Sequence, residues 1–264
     1  MDKNGLKMPW LVFFRVVNLP TVPGDVMVGA AACVAAGAAV PSLALIATAA
    51  ASSCCIYMFG LADNDIVGAA TDSNRPIPSG SITLGAAKRA RFLCLAAGVA
   101  FIAAIGAVPV AGGGAARSAI SALAVFFALA AAIVAYNRTK SPLLMGLCRG
   151  LNVLMGAATL VPFVYLPRIA SCAGPRTCAA VAAAVAVWTL YISAVTKYSE
   201  GEEADAAKRR RVGALVGGIV YLQLAALIAS SLANPENNPL LVAGAILLVA
   251  LRLVKVMLPR VGAS

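Results

Sequence analysis

Long apolar runs separated by short polar turns govern this chain. They fall at roughly 10–38, 40–62, 88–110, 117–137, 142–166, 177–198, 212–233 and 239–259, each long enough to cross a bilayer as a helix. The runs are continuous rather than alternating, which excludes the strands of a β-barrel. The pattern therefore predicts an all-α polytopic membrane protein, a bundle of about eight transmembrane helices in a single domain over residues 1–264. Pro20 and Pro23 interrupt the first run and predict a kinked or interfacial start. Turns carry Pro, Gly and Asn, as in Ala233-Asn234-Pro235-Glu236-Asn237-Asn238-Pro239. No cleavable leader is expected, because no small-residue cleavage site follows a short apolar core.

Composition agrees. The chain is 61% hydrophobic and 12% charged, against about half and a quarter in soluble domains. Placing the N-terminus in the cytoplasm puts all but Arg117, Arg168 and Arg176 of the 21 Lys and Arg residues at inner loops or inner helix ends. That asymmetry predicts an inner-membrane or equivalent multi-pass protein with both termini and both acidic loops cytoplasmic. The net charge of +11 is mostly this topology signal, and nucleic-acid binding is a poor reading of it. The seven Cys and absent His do not suit zinc or haem. Cys172 and Cys178 flank an expected outer turn, where a disulfide is compatible with an oxidising compartment.

Four groups of polar residues carry candidate chemistry. The first follows the second run: Asp63-Asn64-Asp65, then Asp72, Arg75-Pro76-Ile77-Pro78. Asp65 and Asp72 lie two helical turns apart and would share a face, whereas Asp63 points to the other side. Mg²⁺ takes a few carboxylate oxygens and completes its shell with water and phosphate. Asn64 and Arg75 suit phosphate oxygens. The alternative is an interfacial acidic cap, with Arg75 pairing with Asp72. The second group is Glu200-Gly201-Glu202-Glu203-Ala204-Asp205, followed by the basic run Lys208–Arg211. It reads either as a second metal site or as a solvated loop with a basic stop signal. The third group holds Arg138 and Lys140 in an inner loop, and Arg149 and Asn152 one turn apart inside the fifth run. Their depth points to a polar cavity, or else to snorkelling and a helix–helix hydrogen bond. The fourth is Arg15, Asn18 and Asp25 on the first run, where Asp25 either pairs with an Arg from another helix or serves a site.

These residues resemble the UbiA superfamily of intramembrane prenyltransferases. Asn64-Asp65-Ile66-Val67-Gly68-Ala69-Ala70-Thr71-Asp72 is similar to its first Asp-rich motif, with Gly68 in place of the middle Asp, and Arg75-Pro76-Ile77-Pro78-Ser79-Gly80 matches the tail of that motif. Arg15-Val16-Val17-Asn18-Leu19-Pro20-Thr21 resembles the first-helix pattern, and Met145–Asn152 is similar to an EboC-type branch. The resemblance spans about residues 10–255. It implies a UbiA-like central cavity, Mg²⁺ as cofactor, and transfer of an isoprenoid from a prenyl diphosphate to a small, usually aromatic acceptor. Asp65 and Asp72 would bind Mg²⁺-diphosphate, and Asn64, Arg75 and Lys140 would hold the diphosphate. Glu200, Glu202 and Asp205 would stand in for the second acidic motif. Catalysis falls to Asp65, Asp72, Glu202 and Asp205, and substrate contact further to Asn18, Arg149, Asn152 and Tyr198. Phe13, Phe14, Tyr57, Phe59, Tyr191 and Tyr198 are candidates to line the tunnel. The family usually has nine spans and Asp in both motifs, where this chain offers eight and a Glu-rich second cluster.

Two other classes fit parts of the pattern. A carrier of a lipid-like or anionic small molecule would also place polar residues within spans, but kink signals concentrate in the first span. A catalytically weak member that binds prenyl diphosphate is the reading that Gly68 keeps open. The sequence carries no pattern for the acceptor, the prenyl length or the oligomeric state.

Overall fold

The computed structural model describes residues 8–70, 75–107, 115–162, 169–201, 205–234 and 238–257. Its elements are helical: α1 (Pro9–Phe13), a 3₁₀ segment (Val16–Thr21), α2 (Pro23–Ala35), α3 (Leu43–Val67), α4 (Leu84–Ala104), α5 (Ala115–Thr139), α6 (Pro142–Leu160), α7 (Ile169–Ser199), α8 (Ala206–Ala233) and α9 (Asn238–Met257). Among the described residues, seven helical stretches are long and apolar enough to cross a membrane, and the protein is an integral membrane protein. The eighth expected span is present as α9, but its apolar stretch is the shorter Pro239–Ala250.

The first span is broken where its prolines predict. Pro20 lies in the 3₁₀ segment, and Pro23 opens α2 at a position whose N–H needs no helical partner. Other helices start on side-chain caps. Ser42 Oγ accepts from the Leu45 N–H at 3.2 Å, and Thr83 Oγ1 accepts from the Ala86 N–H at 3.2 Å. Helix α8 starts earlier than 212, taking up the basic run that reads as a loop. Asp205 caps it, and Lys and Arg are good helix formers. Cys178 carries a free thiol; the side chain of Cys172, its expected disulfide partner, lies outside the described residues. One turn further along α7, Val181 packs with the buried Cys33 of α2.

Helix α2 is the interior element: 72% of its span is buried, against 17% for α4 and α7. It closes on α6 through paired glycines. A Cβ on Gly29 would fall 1.9 Å from the Val153 carbonyl oxygen, and one on Gly156 would fall 2.0 Å from that of Val26. Lipid supplies little hydrophobic drive between helices, so close backbone approach of this kind holds them. The α6 glycines 146 and 150 do the same against Thr189 and Ser193 of α7. Gly156→Ala is expected to destabilise by about 1–3 kcal/mol, because α2 cannot yield without moving the core. Thermal unfolding in detergent checks this against Gly85→Ala, whose Cβ would meet open space. Equal melting temperatures for the two variants would refute the close-approach account.

Candidate functional site

The last turn of α3 distributes three adjacent polar side chains to three partners. Asp63 turns inward, where its carboxylate accepts from Arg91 Nη1 at 2.8 Å and from Asn137 Nδ2 at 2.9 Å. Asn64 Oδ1 accepts from the Lys140 ammonium. Asp65 is 4% exposed and accepts from Arg75 Nη1 at 2.6 Å. A stiff turn delivers Arg75: the Ile82 N–H reaches the Pro76 carbonyl at 3.0 Å, and the Gly80 N–H that of Ile77 at 3.0 Å. Gly80 takes φ +74°, open to glycine at little cost. Ile82 and Ile77 then anchor the turn against Phe13, Ala62 and Ala87.

Arg75 also lies over Gly68. A Cβ there would stand 3.6 Å from Arg75 Nη1, in ordinary contact. The guanidinium thus crosses the place where the motif's middle carboxylate would project. A Gly68→Asp side chain would enter beside that guanidinium, one turn from Asp65.

Two more cations stand beside this turn. Lys140 follows α5 at φ 55° and Arg15 follows α1 at φ 40°, the two non-glycine residues with positive φ among those described. Such conformations cost on the order of 1–3 kcal/mol each and cluster where the fold must aim a side chain. Partial loss of solvent, then the nearby charges of Arg75 and Arg15, push the Lys140 amine below its ordinary range. Among the described residues no carboxylate pairs with Arg15.

A cavity runs inward from Arg15 between the turn at Val22, α3, α5 and α6. Arg15, Asn64, Tyr136 and Asn137 line its mouth, and Ile56, Leu61, Leu129 and Ile133 give it apolar walls. Ser53, Arg149 and Asn152 form its floor. Ser53 and Asn64 stand eleven positions apart on α3, about 16 Å along the helix.

Beneath the floor, Asp25 is fully buried and draws four helices together. Arg149 Nε pairs with it at 2.8 Å, off the line of an ideal hydrogen bond. Its oxygens accept from Trp188 Nε1 at 2.9 Å, Gln223 Nε2 at 2.8 Å and Asn152 Nδ2 at 3.3 Å. Arg149 Nη2 donates to the Thr21 carbonyl at 2.8 Å, and Ser53 Oγ to Asn152 Oδ1 at 2.9 Å. Gly24 makes room for the Gln223 amide, since a Cβ there would stand 2.1 Å from Gln223 Oε1. Asp25 is therefore the partner of an arginine from another helix, one of the two roles its sequence position allows.

The other predicted residues lie elsewhere. Asp205 caps α8, accepting from the N–H groups of Ala207 at 2.8 Å and Lys208 at 3.2 Å. Those bonds, the one from Lys208 first, hold its carboxyl below the usual range. Glu200 pairs with Lys197 at 2.7 Å, while the Lys208 ammonium reaches the Glu200 carbonyl at 2.6 Å and sits 5.4 Å from the centre of the Tyr198 ring. None of Glu200, Asp205 and Tyr198 lines the cavity. Asn18 does not line it either; its backbone closes the 3₁₀ segment, with its N–H on the Arg15 carbonyl and its carbonyl on Thr21 Oγ1. Asp72 and Glu202 lie outside the described residues. Of the expected tunnel aromatics, Tyr57 lines the cavity; Phe59 is core, Phe13 meets the Trp10 ring edge-on and Phe14 stacks on it, and Tyr191 donates to the Leu215 carbonyl. Arg15 belongs to the fourth candidate group, whereas Trp188 and Gln223 were legible only as amphipathic or polar residues within apolar runs, the one signal by which the sequence sets them apart.

No protein-family model and no curated protein matches the sequence. Solved structures do match. A structure of digeranylgeranylglyceryl phosphate synthase aligns at TM-score 0.53 and 16% identity, over 96% of this chain and 93% of its own. A UbiA homologue from Archaeoglobus fulgidus aligns at 0.50 and 16%, over 95% and 86%. The chain has the UbiA fold. A UbiA homologue from Archaeoglobus fulgidus bound to GPP and Mg²⁺ aligns at 0.49 and 15% identity, over 95% and 87%. In the UbiA fold of this chain, the first acidic motif closes α3 at the cavity mouth, and α6 carries Arg149 and Asn152 to its floor. These structures assign no branch within the superfamily, and the EboC-like reading of Met145–Asn152 stays a resemblance.

Proposed function

We propose that this protein is an intramembrane prenyltransferase that takes an allylic isoprenoid diphosphate at the cavity mouth and transfers its prenyl group to a small acceptor, an aromatic one by the family resemblance. The supporting observation is the segregation of charge along one cavity. Arg15 and Asn64 line the mouth, with Lys140 held on Asn64 and Arg75 on Asp65 beside it, the walls are apolar, and Arg149 at the floor is already neutralised by Asp25. A diphosphate with a hydrocarbon tail has the same polarity, anionic at one end and apolar along its length. By the one-sided distribution of Lys and Arg, this mouth opens to the cytoplasm.

The donor set suits Mg²⁺ in part. The described residues contain no cluster of three or more metal-binding side chains. Asp65 is the carboxylate beside the mouth, and Mg²⁺ with a diphosphate needs one or two. Asp65 would hold the ion, with Asp72 and Glu202 as further candidates and Glu200 and Asp205 assigned by resemblance. Bound Mg²⁺ would supply charge neutralisation for the departing diphosphate. Arg75 now takes the Asp65 oxygen; on loading it would turn to the diphosphate, joined by Lys140, Arg15 and the Asn64 amide. The allylic C–O bond breaks with its electron pair leaving on the diphosphate, the acceptor supplies the pair for the new bond, and the proton the acceptor then loses passes to the released diphosphate. Positioned cations favour that charge separation where water is excluded. The apolar walls keep water from the allylic cation, and Tyr57 and Tyr136 add aromatic surface to them.

Gly68 supports a second reading, a prenyl-diphosphate binder of low turnover, because Arg75 covers the position of the missing acid. One experiment separates the two. Purified protein in lipid is incubated with geranyl, farnesyl or geranylgeranyl diphosphate and a panel of acceptors, with and without Mg²⁺. Mg²⁺-dependent diphosphate release with a prenylated product supports the transferase; binding without release supports the binder. Neither binding nor release would sink both.

The Lys140 amine, shifted down, loses its charge at a lower pH than a free lysine. Affinity for prenyl diphosphate is expected to fall as pH rises through that lowered pKa, because only the ammonium pairs with the anion. Lys140→Arg is expected to hold its affinity to higher pH. Calorimetric titration between about pH 7 and 10 checks this; identical profiles for the two proteins would remove Lys140 from the site.

A further inference from the structure

Helix α4 has one face committed to the bundle and one face open. Ala87, Gly98 and Ile102 are buried, and Arg91 reaches Asp63 of α3 at 2.8 Å. Lys88, Arg89, Phe92, Leu93, Ala96 and Ala100 face outward, with Phe92 68% and Leu93 64% exposed. The pairs Lys88–Phe92 and Arg89–Leu93 each stand one turn apart, so two neighbouring rows set a cation above an apolar side chain. These four residues line a shallow hollow on the outer surface. Lys88 and Ala100 are twelve positions apart, about 18 Å along the helix. The hydrocarbon of one leaflet is roughly 15 Å deep, so the open face spans one leaflet with its cations at the headgroup end.

Those cations are uncompensated. Among the described residues no carboxylate pairs with Lys88 or Arg89. Leu84–Ala104 contains no Asp or Glu, and the positive end of the helix dipole adds to the two charges. The basic run of α8 differs, because it follows directly on its acidic cap, Asp205. Arg91 differs too, since Asp63 already neutralises it.

We propose that the outward face of α4 at Lys88 and Arg89 is a docking site for one anionic phospholipid of the surrounding bilayer. The phosphate bridges the Lys88 ammonium and the Arg89 guanidinium, and an acyl chain lies over Phe92 and Leu93 and on past Ala96. An anionic headgroup leaves net negative charge at the two cations, whereas a zwitterionic one brings its own cation there. A soluble phosphate would meet the cations but forfeit the apolar contact. The site is separate from the cavity and does not depend on the prenyltransferase reading.

The test counts bound lipid on the full-length protein by native mass spectrometry, after exposure in detergent to equimolar phosphatidylglycerol and phosphatidylcholine. The parent is expected to retain phosphatidylglycerol over phosphatidylcholine by at least about fivefold. Lys88→Gln/Arg89→Gln is expected to cut that retention about tenfold, while Arg210→Gln/Arg211→Gln, which removes the same charge from exposed positions of α8, leaves it within about twofold. Excess glycerol phosphate is expected not to displace the lipid. Melting temperature gives a second readout: phosphatidylglycerol raises it in the parent and the α8 variant, but not in the α4 variant. Equal retention of the two lipids by the parent overturns the proposal. Equal loss in the two double variants also overturns it, because net charge rather than the α4 face would then govern binding. Displacement by glycerol phosphate would assign the cations to a soluble anion and overturn the lipid.

Discussion

Asp25→Ala is expected to destabilise the protein by about 3–5 kcal/mol, the range for removing one partner of a buried ion pair. The carboxylate is fully buried. Its loss leaves the Arg149 charge without compensation and strips an acceptor from Trp188, Gln223 and Asn152 at once. These groups come from α6, α7 and α8, so the damage spreads through the bundle. The double variant Asp25→Ala/Arg149→Met is expected to recover part of the loss, because it removes the stranded charge as well. Thermal unfolding of the single and double variants in detergent measures the difference. A single variant within about 1 kcal/mol of the parent would mean that water or another anion reaches Arg149, and the network would lose its structural role.

Asp65→Ala is expected to cut prenyl transfer by about 100-fold or more. Losing roughly 3 kcal/mol of charge stabilisation at the departing diphosphate corresponds to that factor. The Mg²⁺ concentration needed for half-maximal activity should rise in parallel. Asp63→Ala, two residues away, is expected to act differently. Asp63 pairs with Arg91 and Asn137 and ties α3 to α4 and α5, so its loss should lower the melting temperature and leave the Mg²⁺ requirement in place. Measuring both quantities on both variants decides the assignment. If Asp63→Ala moved the Mg²⁺ requirement and Asp65→Ala did not, the metal side of α3 would be reversed.

That division between neighbouring aspartates shows where the sequence stops being informative. Helical periodicity places Asp63 and Asp65 on different sides of α3 but does not say which side faces a cavity. Gly68 marks a departure from the motif, yet only the folded turn shows Arg75 lying over it. Glu200 and Asp205 read as metal donors by composition; the structure uses one for an ion pair and the other to cap α8. Arg149 and Asn152 read correctly as facing a polar cavity, whereas Trp188 and Gln223 beneath them did not stand out.

The sequence by itself determined the apolar runs, the break at Pro20 and Pro23, the one-sided basic charge, and the position of the first acidic motif at the end of α3. Each follows from transfer energies or backbone stereochemistry local to a few residues. The tertiary structure alone decided that Asp25 meets Arg149, that Trp188 and Gln223 join them, and that Lys140 and Arg15 come to one mouth. Those pairings depend on the rotation and approach of helices more than a hundred residues apart in the chain, as when Gly29 and Gly156 let α2 and α6 touch, and no local pattern specifies them.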